Sequence, residues 1–286
     1  PDIAAVSFVG STATGKYISS RGCSNGKRVQ ALCGANNHMI IMPDADMGQA
    51  VDAAMGAAYG SAGERCMAVS AVLAVGDDTA DRFVEQLAPK VRALKIGQFD
   101  EPGVEMGPVI TKDAKDRIIG YIDQGESDGA KVVVDGRNLS LQGYENGFFV
   151  GGTLLDHVTP DMSVYRDEIF GPVLSVMRPQ SYDEAVHLVM SHEYGNGTAI
   201  FTRDGDAARE FASTINIGMV GVNVPIPVPV AYHSFGGWKA SMFGDHSIHG
   251  MEGVRFYTKL KTVTARWPSG IKDGVVFNFH SGSETK

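Results

Sequence analysis

Short apolar runs alternate with amphipathic stretches along most of the chain. Residues 3–10, "IAAVSFVG", predict a buried strand that ends at a glycine. Residues 78–97 instead repeat apolar side chains at spacings of four and three. These side chains share one face of a predicted helix: Phe83, Leu87, Val91 and Leu94. Strands that alternate with helices in this way predict an α/β fold, with an open, parallel-rich sheet flanked by helices in three layers.

The end of the chain has a different pattern. Residues 261–267, "KTVTARW", alternate β-branched and polar residues, which predicts an edge strand or a strand shared between subunits. Residues 268–286 show no helical periodicity and finish on polar residues. We therefore expect a C-terminal oligomerisation strand followed by a tail.

Composition narrows the possible partners. The formal net charge of -8 argues against a nucleic-acid partner, because phosphate binding favours a basic surface. No apolar run approaches the ~18 residues of a membrane span, so no membrane partner is expected. The 3 cysteines are odd in number and lack metal-site spacing, which favours a reducing compartment and predicts no metal site. We expect the cytoplasm, or the mitochondrial matrix if the source is eukaryotic.

Cys66 is the first candidate for chemistry. It follows two charged residues in "GERCMA" and is the only cysteine in such a setting. A cysteine among alanine, glycine and methionine can be a small buried hydrophobic residue. It can also be a nucleophile, provided that a helix N-terminus, backbone N–H groups or a cationic cofactor stabilise the thiolate. The residues alone leave both interpretations open.

Three further segments are individually ambiguous. "FVGST" at residues 8–12 can place a phosphate at a helix N-terminus or can simply cap the helix. "DEIFGPV" at residues 167–173 can supply a ribose-binding carboxylate or form a solvated loop. In residues 223–246, Phe235 either lines a substrate pocket or covers a core.

Taken together and in this order, these segments resemble the motif series of the aldehyde dehydrogenase superfamily. The resemblance extends from Val6 to about Trp267, and "GERCMA" and "EIFGPV" are its most specific parts. The wording of "CGANNH" and "MPDAD" is similar to that of the CoA-acylating semialdehyde dehydrogenases within the superfamily. An aldehyde dehydrogenase-like fold is therefore expected.

The resemblance implies a role for each matching residue. Cys66 would be the nucleophile, which forms a thiohemiacetal with the aldehyde and then a thioester. Gly10 and Ser11 would approach the pyrophosphate of NAD. Glu168 would hold the nicotinamide ribose, and the ring of Phe170 would pack near it.

The resemblance also implies the substrate. Arg65 would bind the carboxylate of methylmalonate or malonate semialdehyde, because a guanidinium matches a carboxylate, and Phe235 would line the substrate pocket. A salt bridge between Arg65 and Glu64 is the structural alternative. Leu32 occupies the position of the superfamily's water-activating glutamate. The thioester is then expected to pass to coenzyme A, with loss of CO2, as propionyl-CoA or acetyl-CoA.

The domain organisation follows from the same resemblance. Residues 1–34 would be a remnant of the NAD-binding domain, 35–246 the catalytic cysteine domain, and 247–286 a C-terminal segment. The chain starts on Pro1 inside an apparent strand, so we expect preceding residues and a homo-oligomeric intact enzyme, dimer or tetramer. Two alternatives are a water-using aldehyde dehydrogenase of other specificity and a truncated subunit without activity. The 286-residue chain alone is expected to be inactive.

Overall fold

Two sheets and a short strand pair organise residues 2–267, which are the residues that the computed structural model describes. The strands in chain order are β1 Ala5–Val9, β2 Arg28–Leu32, β3 Asn37–Ile41, β4 Val69–Ala74, β5 Lys131–Val134, β6 Thr153–Asp156, β7 Val173–Met177, β8 Tyr194–Gly195, β9 Gly197–Phe201, β10 Met219–Val222, β11 Trp238–Lys239 and β12 Met242–Phe243. The larger sheet has seven strands in the order β10-β9-β3-β4-β7-β6-β5. All its pairs are parallel except β5 with β6. The predicted parallel-rich α/β fold is confirmed.

Helices connect most of these strands. They are α1 Thr12–Ser24, α2 Met47–Tyr59, α3 Asp77–Arg92, α4 Lys112–Ser127, the single turn α5 Ser163–Arg166, α6 Tyr182–Ser191, α7 Gly205–Thr214 and α8 Gly250–Tyr257. The N-terminus of α6 is capped, because Ser181 Oγ accepts the Glu184 N–H at 3.2 Å. The Glu184 carboxylate accepts the N–H of Gln180 rather than that of Ser181.

The central strands of the larger sheet form the core. Every residue of β3, β7 and β9 is buried, which explains their continuous apolar runs: parallel strands are covered on both faces. Phe83 and Leu87 of α3 are completely buried in the same cluster, and Val91 is nearly so. The helical face that the sequence predicted for α3 therefore packs on this sheet.

The smaller sheet lies next to the site described below. Its order is β1-β2-β12, with β1 parallel and β12 antiparallel to β2. Residues 33–36 lead from β2 directly into β3 of the larger sheet. This short connection brings the two sheets together. The division of the chain at residue 34 stays a prediction.

Only part of the prediction for the C-terminal segment falls on residues that the structure describes. Residues 261–267, the predicted oligomerisation strand, pair with no other strand within the described part of the chain. Residues 268–286, the predicted tail, lie outside the described residues. Among residues 2–267, none of the helices combines the length and apolar character needed to span a bilayer.

Candidate active site

The cysteine lies on a tight turn between α2 and β4. Residues Gly60–Gly63 form a short 3₁₀ turn in which Ser61 and Ala62 both have a φ of 53°. The N–H of Ala68 then bonds to the carbonyl of Arg65 at 3.0 Å. Because the chain turns at Arg65 rather than extending, this arginine and Cys66 are not forced onto opposite faces, as they would be in a strand.

A close backbone contact joins the cysteine turn to the "EIFGPV" segment. Gly63 has a φ of 68°, and a Cβ at this position would lie 2.1 Å from the carbonyl oxygen of Gly171. Glycine is therefore required there for two reasons, the left-handed backbone and the contact itself. The contact brings two motifs together that are about a hundred residues apart in the sequence.

Two buried amides hold the backbone of Cys66. Asn37 Nδ2 and Asn196 Nδ2 each donate to the carbonyl oxygen of Cys66 at 2.9 Å. Asn37 Nδ2 also donates to the carbonyl of Ala68 at 2.8 Å, and Asn37 Oδ1 accepts the N–H of Gly197 at 2.9 Å. Both side chains are almost fully buried. They fix the peptide that follows the cysteine.

Some groups around Cys66 raise the pKa of its thiol and others lower it. The side chain is exposed, yet the surrounding protein atoms still desolvate the thiol and raise its pKa. The carboxylate of Glu168 adds to this rise, whereas the N–H groups of Cys66 and Met67 and the charge of Arg65 lower the pKa. Of the other two cysteines, Cys23 is exposed on α1 and Cys33 is buried.

Four predicted site residues line one cleft: Arg65, Cys66, Glu168 and Phe170. Glu168 Oε1 accepts the N–H of Ala35 at 2.9 Å, and burial raises the pKa of this carboxyl group, with the Ala35 N–H and Arg117 opposing the rise. Phe170 is 37% exposed and has a φ of 53°, so its ring is presented to the cleft rather than packed in the core.

Gly10 and Ser11 lie at the other end of this region, at the start of α1. A Cβ at Gly10 would lie 2.6 Å from the ring of Phe8. Ser11 is the N-cap residue but makes no side-chain bond to the helix backbone, because its hydroxyl donates to Thr14. The N–H groups of this exposed helix end remain available to an anion.

The residues present fit a dinucleotide between α1 and Glu168. The N–H of Gly34 donates to Thr12 Oγ1 at 3.0 Å. A Cβ at Gly34 would lie 2.8 Å from that hydroxyl and 3.0 Å from Glu168 Oε2, so only glycine leaves this approach open. The helix N-terminus and the carboxylate are thus joined through one short segment. Among the described residues, no cluster of three or more histidine, cysteine, aspartate or glutamate side chains could hold a metal.

The Arg65 guanidinium turns back onto α2. Its Nη2 donates to the carbonyls of Gly56 and Ala57 at 2.6 and 3.0 Å, while its Nε is buried without a hydrogen-bond partner. Within residues 2–267, Arg65 makes no ion pair with Glu64 or any other acid. The predicted contact with a substrate carboxylate stays a prediction.

Leu32 and Phe235 lie behind the cysteine turn, outside the lining of the cleft. They form a small buried cluster with Met67 and Met219. Leu32 is only 7% exposed, and its neighbours in the cluster are all apolar. Leu32 itself therefore offers no carboxylate at this position. The role predicted for Phe235 in binding substrate stays a prediction.

Three groups of the site were not identified from the sequence: Asn37, Asn196 and the N–H of Ala35. Asn37 begins the buried run "NHMII" and Asn196 precedes "GTAIF", so each is a polar residue at the edge of an apolar strand. A buried amide must satisfy its hydrogen bonds, and this position is the signal that could have identified both asparagines.

Comparison with known proteins places this geometry in context. The model of the aldehyde dehydrogenase family matches residues 1–263. Malonate-semialdehyde dehydrogenase of Pseudomonas aeruginosa is 59% identical over 268 residues, which is 94% of this chain and 54% of that protein. The mitochondrial acylating methylmalonate-semialdehyde/malonate-semialdehyde dehydrogenase of Bos taurus is 48% identical over 93% of this chain and 49% of its own length.

Two solved structures are similar to this chain over nearly its whole length. A methylmalonate-semialdehyde dehydrogenase from Sinorhizobium meliloti, complexed with NAD, superposes with a TM-score of 0.94 at 63% identity, covering 96% of this chain and 56% of that one. The enzyme of the same description from Oceanimonas doudoroffii gives 0.93 at 57% identity, covering 94% and 56%. The chain thus spans about half the length of the curated relatives it matches.

Proposed function

The chain belongs to the aldehyde dehydrogenase family, and from this premise we propose that it supplies the nucleophile of an enzyme that converts methylmalonate or malonate semialdehyde into an acyl-CoA. The observation that carries the proposal is the cleft in which Cys66, Arg65, Glu168 and Phe170 meet. Proteins that are similar over nearly the whole chain and are described as semialdehyde dehydrogenases support the choice of substrate.

The proposed reaction begins at the Cys66 sulfur. The thiolate adds to the aldehyde carbon, and the carbonyl oxygen becomes the oxyanion of a thiohemiacetal. The C–H bond of this adduct then breaks with its electron pair, the C=O bond re-forms and a thioester remains on Cys66. NAD, when bound, accepts the hydride. In the last step the thiolate of coenzyme A attacks the thioester and Cys66 leaves as thiolate. In the course of the reaction the C–C bond to the substrate carboxylate also breaks and releases CO2. The electron pair left on the α-carbon is held as the enolate of the thioester and takes up a proton.

The chain's own residues orient this chemistry. Asn37 and Asn196 hold the carbonyl of Cys66, so the turn that carries the sulfur cannot swing freely. Glu168 and the start of α1 are the groups that would hold NAD, with the carboxylate on the ribose side and the helix N-terminus on the pyrophosphate side. Arg65, which lines the cleft, is the cation that would bind the substrate carboxylate.

Transfer to coenzyme A rather than to water is favoured by the surroundings of Leu32. Hydrolysis of a thioester near neutral pH needs a general base within reach of a water molecule. Leu32 has no ionisable group and packs in a hydrophobic cluster with Met67 and Phe235. A thiol such as that of coenzyme A has a pKa of ~8.5 and is partly ionised without such a base. This favours acylation of coenzyme A over a water-using enzyme of different specificity.

Peptide mass mapping of the acyl-enzyme tests the proposal. The protein from the full reading frame is mixed with methylmalonate semialdehyde and NAD, but without coenzyme A, and is then quenched in acid. We expect the acyl group on Cys66, with none on Cys23 or Cys33, and no NADH from Cys66→Ala. Acylation of another cysteine, or full activity of Cys66→Ala, would show that the assignment is wrong.

Assembly and location are proposed from the same family membership. We propose a homo-oligomer, dimer or tetramer, in which residues 261–267 pair with a second subunit. Leu260, Val263 and Trp267 are strongly exposed in the single chain, as expected of side chains that a partner covers. One relative is described as mitochondrial and others are bacterial, which fits the cytoplasm or the mitochondrial matrix.

A further inference from the structure

Among the described residues, no histidine contributes to the pKa of the Cys66 thiol, so none is placed to take its proton. Two buried histidines bond to Tyr165 instead: His38, which is 1% exposed, to its hydroxyl, and His192 to its carbonyl. The charged groups that face the thiol are Arg65, which favours the thiolate, and Glu168, which opposes it. Another source of stabilisation is needed if the sulfur is to react near neutral pH.

The peptide between Cys66 and Met67 provides such a source. Its carbonyl receives two amide donors, Asn37 Nδ2 and Asn196 Nδ2, both at 2.9 Å. Its N–H belongs to Met67 and is one of the two backbone groups that lower the pKa of the Cys66 thiol. Donors on the carbonyl of a peptide polarise the whole unit and strengthen the hydrogen bond that its N–H makes.

The orientation of both amides is fixed by their surroundings. Asn37 Oδ1 accepts the N–H of Gly197, so its Nδ2 must face the carbonyls of Cys66 and Ala68. Asn196 faces a carbonyl oxygen as well, which can only accept, and its Nδ2 also lies 3.0 Å from Met67 Sδ. The two donors together occupy both lone pairs of the Cys66 carbonyl.

We propose that Asn37 and Asn196 are positioning residues that clamp and polarise the Cys66–Met67 peptide, so that the Met67 N–H stabilises the Cys66 thiolate. The clamp acts through the peptide and touches neither substrate nor cofactor. It connects the start of β3 with the start of β9, so two neighbouring strands of the larger sheet set the nucleophile. The inference rests on the proposed role of Cys66 as the nucleophile.

Alkylation of the thiol tests the clamp without requiring enzymatic turnover. The rate at which iodoacetamide modifies Cys66 is measured from pH 6 to 10 by peptide-resolved mass spectrometry on the 286-residue chain. Asn196→Leu keeps a similar shape but removes one donor. We expect Cys66 to react about 3- to 10-fold more slowly at pH 7, with the inflection of the rate profile moved to higher pH.

Three controls separate the clamp from loss of packing. Asn36→Leu removes another buried amide, whose Nδ2 bonds to the carbonyl of Tyr165 instead, and should leave the Cys66 profile unchanged. Exposed Cys23 should react equally in every variant, and modification of buried Cys33 would reveal unfolding. Asn196→Gln retains an amide donor and should recover part of the rate.

The outcomes decide the proposal. An unchanged Cys66 profile in folded Asn196→Leu would overturn it, and so would an equal change in Asn36→Leu, which would assign the effect to packing. If Asn196→Leu unfolds, the folded Asn196→Gln variant carries the test, and its Cys66 must react more slowly than that of the wild type at pH 7. Because alkylation measures the sulfur alone, this result is independent of whether the acyl-trapping experiment succeeds.

Discussion

Replacing Arg65 by leucine separates the contacts that the structure shows from the contact that we propose. In the structure, Arg65 Nη2 caps the last turn of α2 through the carbonyls of Gly56 and Ala57. The side chain is only partly buried, and hydrogen bonds from a charged donor contribute about 1.5–3 kcal/mol at most. A cation at a helix C-terminus adds a few tenths of a kcal/mol. We therefore expect Arg65→Leu to lower the free energy of unfolding by about 1–3 kcal/mol.

The kinetic effect should depend on the substrate if Arg65 also binds a carboxylate. Loss of a charge-assisted contact worth ~1.5–3 kcal/mol corresponds to about a 10- to 150-fold higher KM for methylmalonate semialdehyde. Propanal has no carboxylate, so its KM should change much less. The assay follows NADH formation with both aldehydes in the protein from the full reading frame, with coenzyme A present.

The matched variant is Arg65→Lys, which retains the charge but not the planar fork. It should preserve part of the preference for the semialdehyde, because lysine pairs with a carboxylate as a point charge. Equal losses with both aldehydes in Arg65→Leu would refute the substrate role. In that case Arg65 acts only as the C-terminal cap of α2 that the structure shows.

Two further predictions concern release of the product and assembly. Without coenzyme A, the wild type should give a single burst of NADH and then stop. Leu32→Glu should turn over slowly if the new carboxylate can act as a base. Steady turnover of the wild type to free acid would contradict the acylating mechanism. Val263→Pro, at a position 74% exposed in the single chain, should lower the molar mass measured by light scattering, because proline removes a ladder hydrogen bond from an intersubunit strand. An unchanged mass would exclude that strand from the interface.

Periodicity was sufficient to predict the class of the fold. The helical face of α3 lies where the sequence predicts it, and the strands β3, β4 and β9 are short apolar runs, because burial imposes these patterns directly. The strand β2 was not predicted. Its sequence "RVQAL" is short and contains two long polar residues, and it is identified as a strand only through its partners β1 and β12. Pairing between distant segments leaves little local signal.

The geometry of the site depends even more on contacts between segments that are distant in the sequence. Local sequence implies that Arg65 and Cys66 diverge, since neighbours in an extended chain point to opposite faces. The turn from Arg65 to Ala68 removes this conflict. It follows a 3₁₀ turn in which Ser61 and Ala62 have a left-handed backbone, which is rare for residues with a side chain. Such a conformation costs free energy and persists only where the surroundings impose it. Those surroundings are distant in sequence: the Gly171 carbonyl against Gly63, and the two asparagines on the Cys66 carbonyl. The geometry of the Cys66 turn is therefore a property of the assembled sheet, and a motif that spans a few residues does not contain it.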